Sequence, residues 1–282
     1  MNAFVLKIIA LTAMFVDHVG AAFPTNTPLW FRVVGRLTFP IFVYLLAEGF
    51  RYTRSPQKYL LRLFAFAIIS EPFYDWALTR TRHTSTFYTL WQVDFLNYTN
   101  IFYTLFLGGM AIFAYQQINR YIMQQFFGYT EPEDNNNLRN PHYAQNYVQK
   151  SSNMPYNPAH LTAAAIAVLP TFGFMWIAEF LGADYGWYGV LFILLMYLIK
   201  NPKWLMLVVF AVMNIAQHRG LWPFFRDSIP IDIWFYMMIP ATLLTVPLIA
   251  LYNKERGPSL KWLFYVVYPA HLAVLAGIAF LL

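Results

Sequence analysis

Residues 4–22 read FVLKIIALTAMFVDHVGAA, and this apolar stretch decides the class of fold. Its length and composition are typical of a membrane-spanning helix. Asp17 and His18 interrupt it near its end, although an Asp at the middle of a spanning helix costs about 2.5–3.5 kcal/mol on insertion scales. Histidine is the side chain that titrates near neutral pH. The pair is compatible with an interhelical ion pair, with a helix end at the lipid headgroups, and with proton-transfer chemistry.

The composition of the whole chain agrees with a membrane protein. The sequence is 59% hydrophobic and 20% aromatic, and only 11% of its residues are charged, whereas soluble domains carry about 25% charged residues. The chain contains no cysteine, which excludes disulfides, zinc–thiolate sites and cysteine nucleophiles. We therefore expect an all-α polytopic transmembrane bundle, organised as one domain over residues 1–282.

Hydropathy predicts about nine spans, and eight or ten also fit the pattern. They cover residues 3–22, 29–51, 59–78, 100–122, 161–181, 185–199, 203–218, 232–252 and 261–282. A cleavable signal peptide ending near Gly20-Ala21-Ala22 is the alternative for the first segment. Asp17 and His18 favour a retained helix, because a discarded peptide gains nothing from them.

The distribution of Lys and Arg predicts the orientation of these spans. Basic residues are more frequent at the even-numbered connections than at the odd-numbered ones, so the N-terminus is expected in the cytoplasm and the C-terminus outside. Residues 124–160, rich in Asn, Gln, Tyr and Pro, are then a polar cytoplasmic loop whose composition is typical of disorder. The expected location is the plasma membrane of a bacterial cell, crossed several times.

Polar side chains from several predicted helices fall at a similar depth under this topology. They are Asp17, His18, Arg36, Glu71, Asp75 and Asn100 in the outer half, His271 near the middle, and Tyr268 one turn before it. Intramembrane charges are normally paired or gathered around a functional cavity. A single ion pair would be structural, but so many polar groups at one depth indicate a site.

A second group of residues is basic and lies toward the cytoplasmic face. It comprises Lys7, Arg51, Arg54, Lys58, Arg62 and Lys261. Lys7 lies about 16 Å from His18 at 1.5 Å per helical residue, and Lys261 lies about 15 Å from His271. Taken singly these residues fit ordinary snorkelling at helix ends. Together they suit a long ligand with an anionic head in the cytosol and a reactive tip in the membrane, which is the shape of acetyl-coenzyme A.

Several motifs together resemble the TraX family of membrane acetyltransferases. They are Leu6-Lys7-Ile8-Ile9-Ala10-Leu11, Asp17-His18-Val19-Gly20, Gly35-Arg36-Leu37-Thr38-Phe39-Pro40-Ile41-Phe42, Glu48-Gly49-Phe50, Ser70-Glu71-Pro72-Phe73, residues 100–109, and Phe264 to Leu272. The resemblance covers almost the whole chain except residues 124–160. It implies transfer of an acetyl group from cytosolic acetyl-CoA to an amine or hydroxyl of a peptide N-terminus or an envelope component. The acceptor is left open, because a family does not fix its substrate.

These residues suggest the following roles. His18 is the expected general base, and Asp17, which points about 100° away from it on a helix, is expected to pair with Arg36. Glu71 or another helix would orient His18. Arg36, Asn100 and Tyr268 are candidates for polarising the thioester carbonyl. His271 is equally compatible with a second proton shuttle and with a packed structural histidine.

The rival class is a proton-coupled transporter or flippase for an anionic or amphipathic solute, because buried Arg, Glu and His also mark such pathways. A structural membrane subunit is the third interpretation. No motif of an intramembrane protease is present, and we expect neither a metal nor a nucleic-acid partner.

Overall fold

The computed structural model describes residues 1–79, 98–127, 158–199, 203–218, 237–258 and 261–281. These residues form helices and connections, and none of them lies in a β-strand, which confirms the all-α prediction. The helices are α1 (Ala3–Ala22), α2 (Trp30–Gly35), α3 (Thr38–Tyr52), α4 (Pro56–Tyr74), α5 (Ile101–Phe127), α6 (Pro158–Phe180), α7 (Gly186–Leu198), α8 (Lys203–His218), α9 (Ile239–Leu243), α10 (Thr245–Ala250) and α11 (Lys261–Leu281). A π-helical turn, Asp75–Thr79, continues α4.

Five helical segments among the described residues are long and apolar enough to cross a membrane. They are Ala3–Ala22, Trp30–Tyr52, Ile101–Phe126, Leu161–Phe180 and Trp262–Leu281. Three further apolar helices, Gly186–Leu198, Lys203–Ala216 and Ile239–Ala250, are shorter than the roughly 20 residues that a 30 Å hydrocarbon core requires. The count of nine spans and the orientation stay predictions.

Local sequence explains where several helices begin and break. The side chain of Asn2 accepts the backbone N–H of Val5 at the start of α1, and Ser55 accepts that of Lys58 at the start of α4, as N-cap residues do. The predicted segment 29–51 corresponds to the continuous apolar segment Trp30–Tyr52. Tighter turns at Arg36 and Leu37, which keep helical backbone angles, divide it into α2 and α3.

The packing of α1 positions the polar residues. This helix contacts α2, α3 and α11, and α11 in turn contacts α4 and the π-helical turn. A Cβ atom at Gly35 would lie 2.2 Å from Asp17 Cγ, and one at Gly20 would lie 2.7 Å from Phe31 Cβ. Glycine at these two positions therefore lets α1 and α2 approach closely enough for the Asp17 carboxylate to lie against the α2 backbone.

The described chain divides into two compact units. The larger comprises Met1–Met110 and Phe174–Leu282 and contains all the candidate site residues; the smaller is Ala111–Gly173. The smaller unit has its own buried cluster of Ile122, Met123 and Ala163, with Ile118 packed against it. Most of the predicted cytoplasmic loop 124–160 lies outside the described residues, and the single-domain organisation stays a prediction.

Candidate functional site at the contact of α1 and α11

Two histidines that are 253 positions apart meet where α1 contacts α11. His18 Nδ1 lies 2.6 Å from His271 Nε2. The two rings are nearly parallel and meet edge to edge through these nitrogens, with centroids 4.9 Å apart and planes inclined by 12°. His271 is buried. The structure therefore joins two residues that the sequence analysis proposed separately, and it makes His271 the direct neighbour of His18.

The second nitrogen of His271 determines how the protons are arranged. His271 Nδ1 lies 2.8 Å from the carbonyl oxygen of Val267. A carbonyl can only accept, so His271 Nδ1 carries the hydrogen and, in the neutral ring, Nε2 is an acceptor. The hydrogen between the two rings then belongs to His18 Nδ1. This hydrogen-bond network assigns the tautomers and leaves His18 Nε2 with a lone pair.

Tyr268 lies one turn before His271 and borders both rings. Its ring meets His18 and His271 edge to face, at centroid distances of 5.9 and 5.5 Å. The Tyr268 hydroxyl is buried and makes no hydrogen bond within the described residues, although it lies beside the backbone N–H of Ile101 at the start of α5. Tyr268 therefore contacts the histidine pair through its ring.

Asp17 forms ion pairs with two arginines across the α1–α2 contact. Its Oδ1 lies 2.8 Å from Arg32 Nη1 and 3.1 Å from Arg36 Nη2. Arg32 also donates to the Asp17 carbonyl, and Arg36 Nε donates to the Arg32 carbonyl. The expected contact between Asp17 and Arg36 is present. Sequence reasoning missed Arg32, although its spacing of four from Arg36 places the two on one helical face.

Glu71 and Asn100 form a second polar cluster, separate in its bonding from the histidines. Glu71 Oε2 accepts both the Asn100 backbone N–H, at 3.1 Å, and an Asn100 Nδ2 hydrogen. The other Nδ2 hydrogen goes to the Ala67 carbonyl, and Asn100 Oδ1 accepts the N–H of Phe102. Asn100 therefore caps α5.

This arrangement bears on two expectations. Both amide hydrogens of Asn100 are donated within the protein, so its side chain has none left to polarise a substrate carbonyl. Glu71 bonds to Asn100, and the hydrogen-bonding partner of His18 is His271, from another helix. Asp75 lies at the start of the π-helical turn, on the same helical face as Glu71.

The basic residues separate into two groups. Lys7 Nζ lies 5.0 Å from the centroid of Phe264, while Arg62 lies 5.9 Å from the centroid of Tyr59 and hydrogen-bonds Tyr265. Both therefore border the first turns of α11. The backbone of Lys261 begins this helix, but its side chain lies outside the described residues. Arg54 and Lys58 are exposed around the connection between α3 and α4.

Arg51 belongs to the other group, because its guanidinium is used inside the protein. It pairs with buried Glu48 and donates Nη2 to the carbonyls of Met196 and Tyr197, the latter at 2.8 Å. Arg51 thereby caps the C-terminal end of α7. Its side chain is only 8% exposed and already bonded, which argues against the prediction that Arg51 receives phosphates.

A series of aromatic contacts connects Arg62 with the histidine pair. Tyr265 stacks on Phe66 at 5.1 Å and on Phe102 at 6.4 Å. Phe102 meets Tyr268 edge to face at 5.0 Å. Because Tyr268 borders both histidines, aromatic rings run along α11 from its first turns, which Lys7 and Arg62 border, to the His18–His271 contact.

The connection between α6 and α7 adds two residues that the sequence analysis did not single out. Tyr185 has a positive φ of 72°, which is uncommon for a residue other than glycine, and its ring stacks on Phe39 at 3.5 Å. Asp184 and Tyr185 both interact electrostatically with Arg36. The only sequence signal was an acidic residue between two apolar segments. Within the described residues, no three His, Asp or Glu side chains are placed to hold a metal ion.

Comparison with known proteins supports the family resemblance. The chain matches the family described as "TraX protein" over residues 3–128 and 145–279. It is also similar to the "Probable fimbrial assembly protein FimC, serogroup H1" of Dichelobacter nodosus, with 38% identity over 114 residues. That match covers 39% of this chain and 45% of the relative, so the chain spans less than half the length of that relative. No solved structure matches. Because the family match extends over most of the sequence and includes both histidines of the site, the chain belongs to the TraX family.

Proposed function

We propose that this protein is an integral membrane acetyltransferase that uses acetyl-CoA and acetylates an amine or hydroxyl of a membrane-associated or exported acceptor. The observation that carries the proposal is the contact between His18 and His271. It leaves a lone pair on His18 Nε2, in a ring that borders Tyr268 and lies in a segment apolar enough to cross a membrane. A histidine with a free lone pair is a group that can serve as the general base of acyl transfer.

The donor fits the residues along α1, α4 and α11. Lys7 and Arg62 border the start of α11, two to three turns from the histidine pair, and supply positive charge for the phosphates of CoA. Arg54, Lys58 and Lys261 are further candidates in the nearby sequence. The aromatic rings from Tyr265 to Tyr268 offer an apolar wall for the uncharged arm that carries the thioester.

His18 acts as the general base of the transfer. The amine nitrogen or hydroxyl oxygen of the acceptor attacks the thioester carbonyl carbon, and His18 Nε2 removes the proton from the attacking atom. A new C–N or C–O bond forms while the C–S bond breaks. The proton held by His18 then passes to the departing sulfur, so that CoA leaves as a thiol and His18 returns to its neutral state.

The surrounding residues stabilise charge and hold the helices. The Tyr268 hydroxyl is our candidate donor to the oxygen that becomes negative as the carbonyl is attacked. Asp17, Arg32 and Arg36 fix α1 against α2 through their ion pairs. Because those pairs involve Asp17 and the Arg36 side chain directly, we assign them to positioning and not to proton transfer.

The acceptor is proposed from the family and from the name of a relative. A peptide N-terminus is one of the acceptors that the TraX resemblance leaves open, and the similar protein of Dichelobacter nodosus is named for fimbrial assembly. We therefore favour the N-terminal amine of a fimbrial subunit over a sugar or small molecule of the cell envelope.

The test is an acetyl-transfer assay with the purified protein in detergent. Wild type is expected to transfer labelled acetyl from acetyl-CoA to an amine acceptor peptide. His18→Ala should lose about 10²–10⁴-fold in kcat, with CoA binding nearly unchanged because the base acts in the transition state. Thr12→Ala, an exposed substitution on the same helix, is the control.

Two results would contradict the proposal. Equal turnover in wild type and His18→Ala would remove His18 as the base. Absence of transfer, together with movement of acetyl-CoA or another amphipathic anion across proteoliposomes driven by a proton gradient, would establish the transporter interpretation.

A further inference from the structure

We propose that His271 is the positioning residue of His18, and that a neutral relay from His18 through His271 to the Val267 carbonyl sets which nitrogen of His18 is basic. This inference rests on the proposed function. The sequence left His271 open between a shuttle and a packed structural residue. The geometry favours a third role, in which His271 accepts from His18 and never has to meet the substrate.

The direction of the two hydrogen bonds supports this role. Val267 is four residues before His271 on α11, and its carbonyl fixes the hydrogen of His271 on Nδ1 at 2.8 Å. The free nitrogen, Nε2, therefore faces His18 Nδ1 at 2.6 Å and accepts its hydrogen. With Nδ1 of His18 protonated, the lone pair of His18 must be on Nε2.

The local structure holds this arrangement in place. Pro269 lies between Val267 and His271 and has no backbone N–H to donate to the Tyr265 carbonyl. Tyr268 packs edge to face against both imidazole rings. The planes of the two rings are inclined by only 12°, so the hydrogen on Nδ1 of one ring can point at the lone pair on Nε2 of the other. A histidine that merely filled space would not need this bond direction.

A neutral partner has a specific chemical consequence. When His18 takes a proton on Nε2, the positive charge is shared with His271 through their hydrogen bond, while a carboxylate partner would oppose it with a full negative charge. The other charged and titratable groups facing His18 are Asp17, Arg32 and Arg36 across the α1–α2 contact and Tyr268 on α11, while Asp75 lies on the π-helical turn that packs against both helices. When only residue 271 is substituted, these groups stay the same, so a change in the pH dependence of transfer can be attributed to the new partner of His18.

The first measurement compares three variants at position 271. His271→Leu removes the acceptor and is expected to lower kcat about 10²-fold or more, since an unfixed tautomer misplaces the lone pair. Its KM for acetyl-CoA should stay within about twofold, as expected when an interaction of the transition state is lost. His271→Gln keeps an acceptor oxygen at nearly the same reach and should recover about tenfold over His271→Leu.

The third variant, His271→Glu, changes the charge of the partner. The acid limb of its pH–rate profile should move to higher pH, because a carboxylate beside His18 favours the protonated ring. Phe15→Leu alters a ring contact with His271 without changing any hydrogen bond and is the control, with an unchanged profile. If Gln is no better than Leu and the limb does not move in the Glu variant, His271 is not a positioning residue.

The second measurement does not depend on activity. Nitrogen NMR of histidine-labelled protein in detergent distinguishes protonated from unprotonated ring nitrogens, and the six histidines of the chain can be assigned with single substitutions. We expect neutral His18 to be protonated on Nδ1 in wild type and to lose this preference in His271→Leu. Protonation of neutral wild-type His18 on Nε2 would overturn the inference.

The two measurements separate the inference from the proposed function. If wild type transfers no acetyl group but His18 is protonated on Nδ1, the acetyltransferase proposal fails and the relay stands as a structural finding. If wild type is active and His271→Leu keeps both its pH profile and its tautomer, the relay fails and the acetyltransferase proposal remains.

Discussion

The histidine pair and the Glu71–Asn100 cluster show how differently two groups of polar residues in apolar helices are used. Asn100 donates both amide hydrogens and accepts one N–H within the protein, and Glu71 accepts two of those bonds. The His18–His271 pair satisfies three ring nitrogens and leaves the fourth, His18 Nε2, with a lone pair. The hydrogen-bonding groups of the Asn100 side chain are used in capping α5, whereas the histidine pair retains one nitrogen for chemistry.

Substitution of Glu71 tests the capping role of the Glu71–Asn100 cluster and should have the largest effect on stability. Glu71→Ala leaves the Asn100 N–H and one Nδ2 hydrogen buried without their acceptor, at a cost of about 1–3 kcal/mol for each unsatisfied group. Thermal unfolding in detergent should show a clear loss of stability. Turnover of the folded fraction should be unchanged, and a selective loss of kcat with a normal unfolding temperature would instead give Glu71 a part in catalysis.

Substitution of Tyr268 tests the other group of this comparison, the histidine pair. Tyr268→Phe keeps the ring that borders both histidines but removes the hydroxyl. We expect kcat to fall about tenfold, which corresponds to about 1.4 kcal/mol of lost transition-state stabilisation, with little change in the unfolding temperature. The assay is steady-state transfer at saturating acetyl-CoA. A drop in stability with normal turnover would show that the hydroxyl serves packing.

The smallest expected effect concerns the basic residues. Here Lys7 and Arg62, proposed to bind the donor, are compared with Arg51, which is bonded within the protein. Lys7→Gln and Arg62→Gln should each raise the KM for acetyl-CoA about threefold to tenfold with kcat nearly unchanged, because remote phosphate contacts are made equally in ground and transition states. The effect should disappear with acetyl-pantetheine, which lacks the nucleotide.

Arg51→Gln provides the contrast for these two variants. It should lower stability through loss of the cap on α7 and of its bond to Glu48, without a specific change in KM. Equal losses of Lys7→Gln and Arg62→Gln with both donors would show that these cations only anchor the helices in the membrane.

The sequence was sufficient for most helix positions. The predicted segments 185–199 and 203–218 correspond to Gly186–Leu198 and Lys203–His218, because apolar length and flanking polar residues are local signals. The predicted span 29–51 is found as Trp30–Tyr52, and only the tighter turns at Arg36 and Leu37 within it had no local sequence signal. These turns are stabilised by Asp17, which belongs to another helix.

Residue type and expected depth in the membrane pointed to the residues of the candidate site, but no sequence pattern predicted which of them are in contact. His18, His271 and Tyr268 were identified because polar groups in apolar helices are costly. Their pairing joins residues that are 253 positions apart, and no local pattern reports such a distance. The contacts of Arg51 were equally invisible in the sequence, because the carbonyls to which it donates are 145 and 146 positions away.

The π-helical turn at Asp75–Thr79 has a consequence for the phase of the chain. Successive residues of an α-helix are rotated by about 100°, and a π-helical turn changes that phase between its two sides. Upstream, Glu71 faces the cap of α5, while downstream Ala77 and Leu78 are buried in a turn packed against both histidine helices. Because a π-helical turn accommodates one residue more than an α-helical turn, a single-residue deletion at Asp75–Thr79 could be absorbed by conversion to an α-helical turn with both faces kept toward their partners, whereas a deletion within the α-helical part of α4 would turn one of them away.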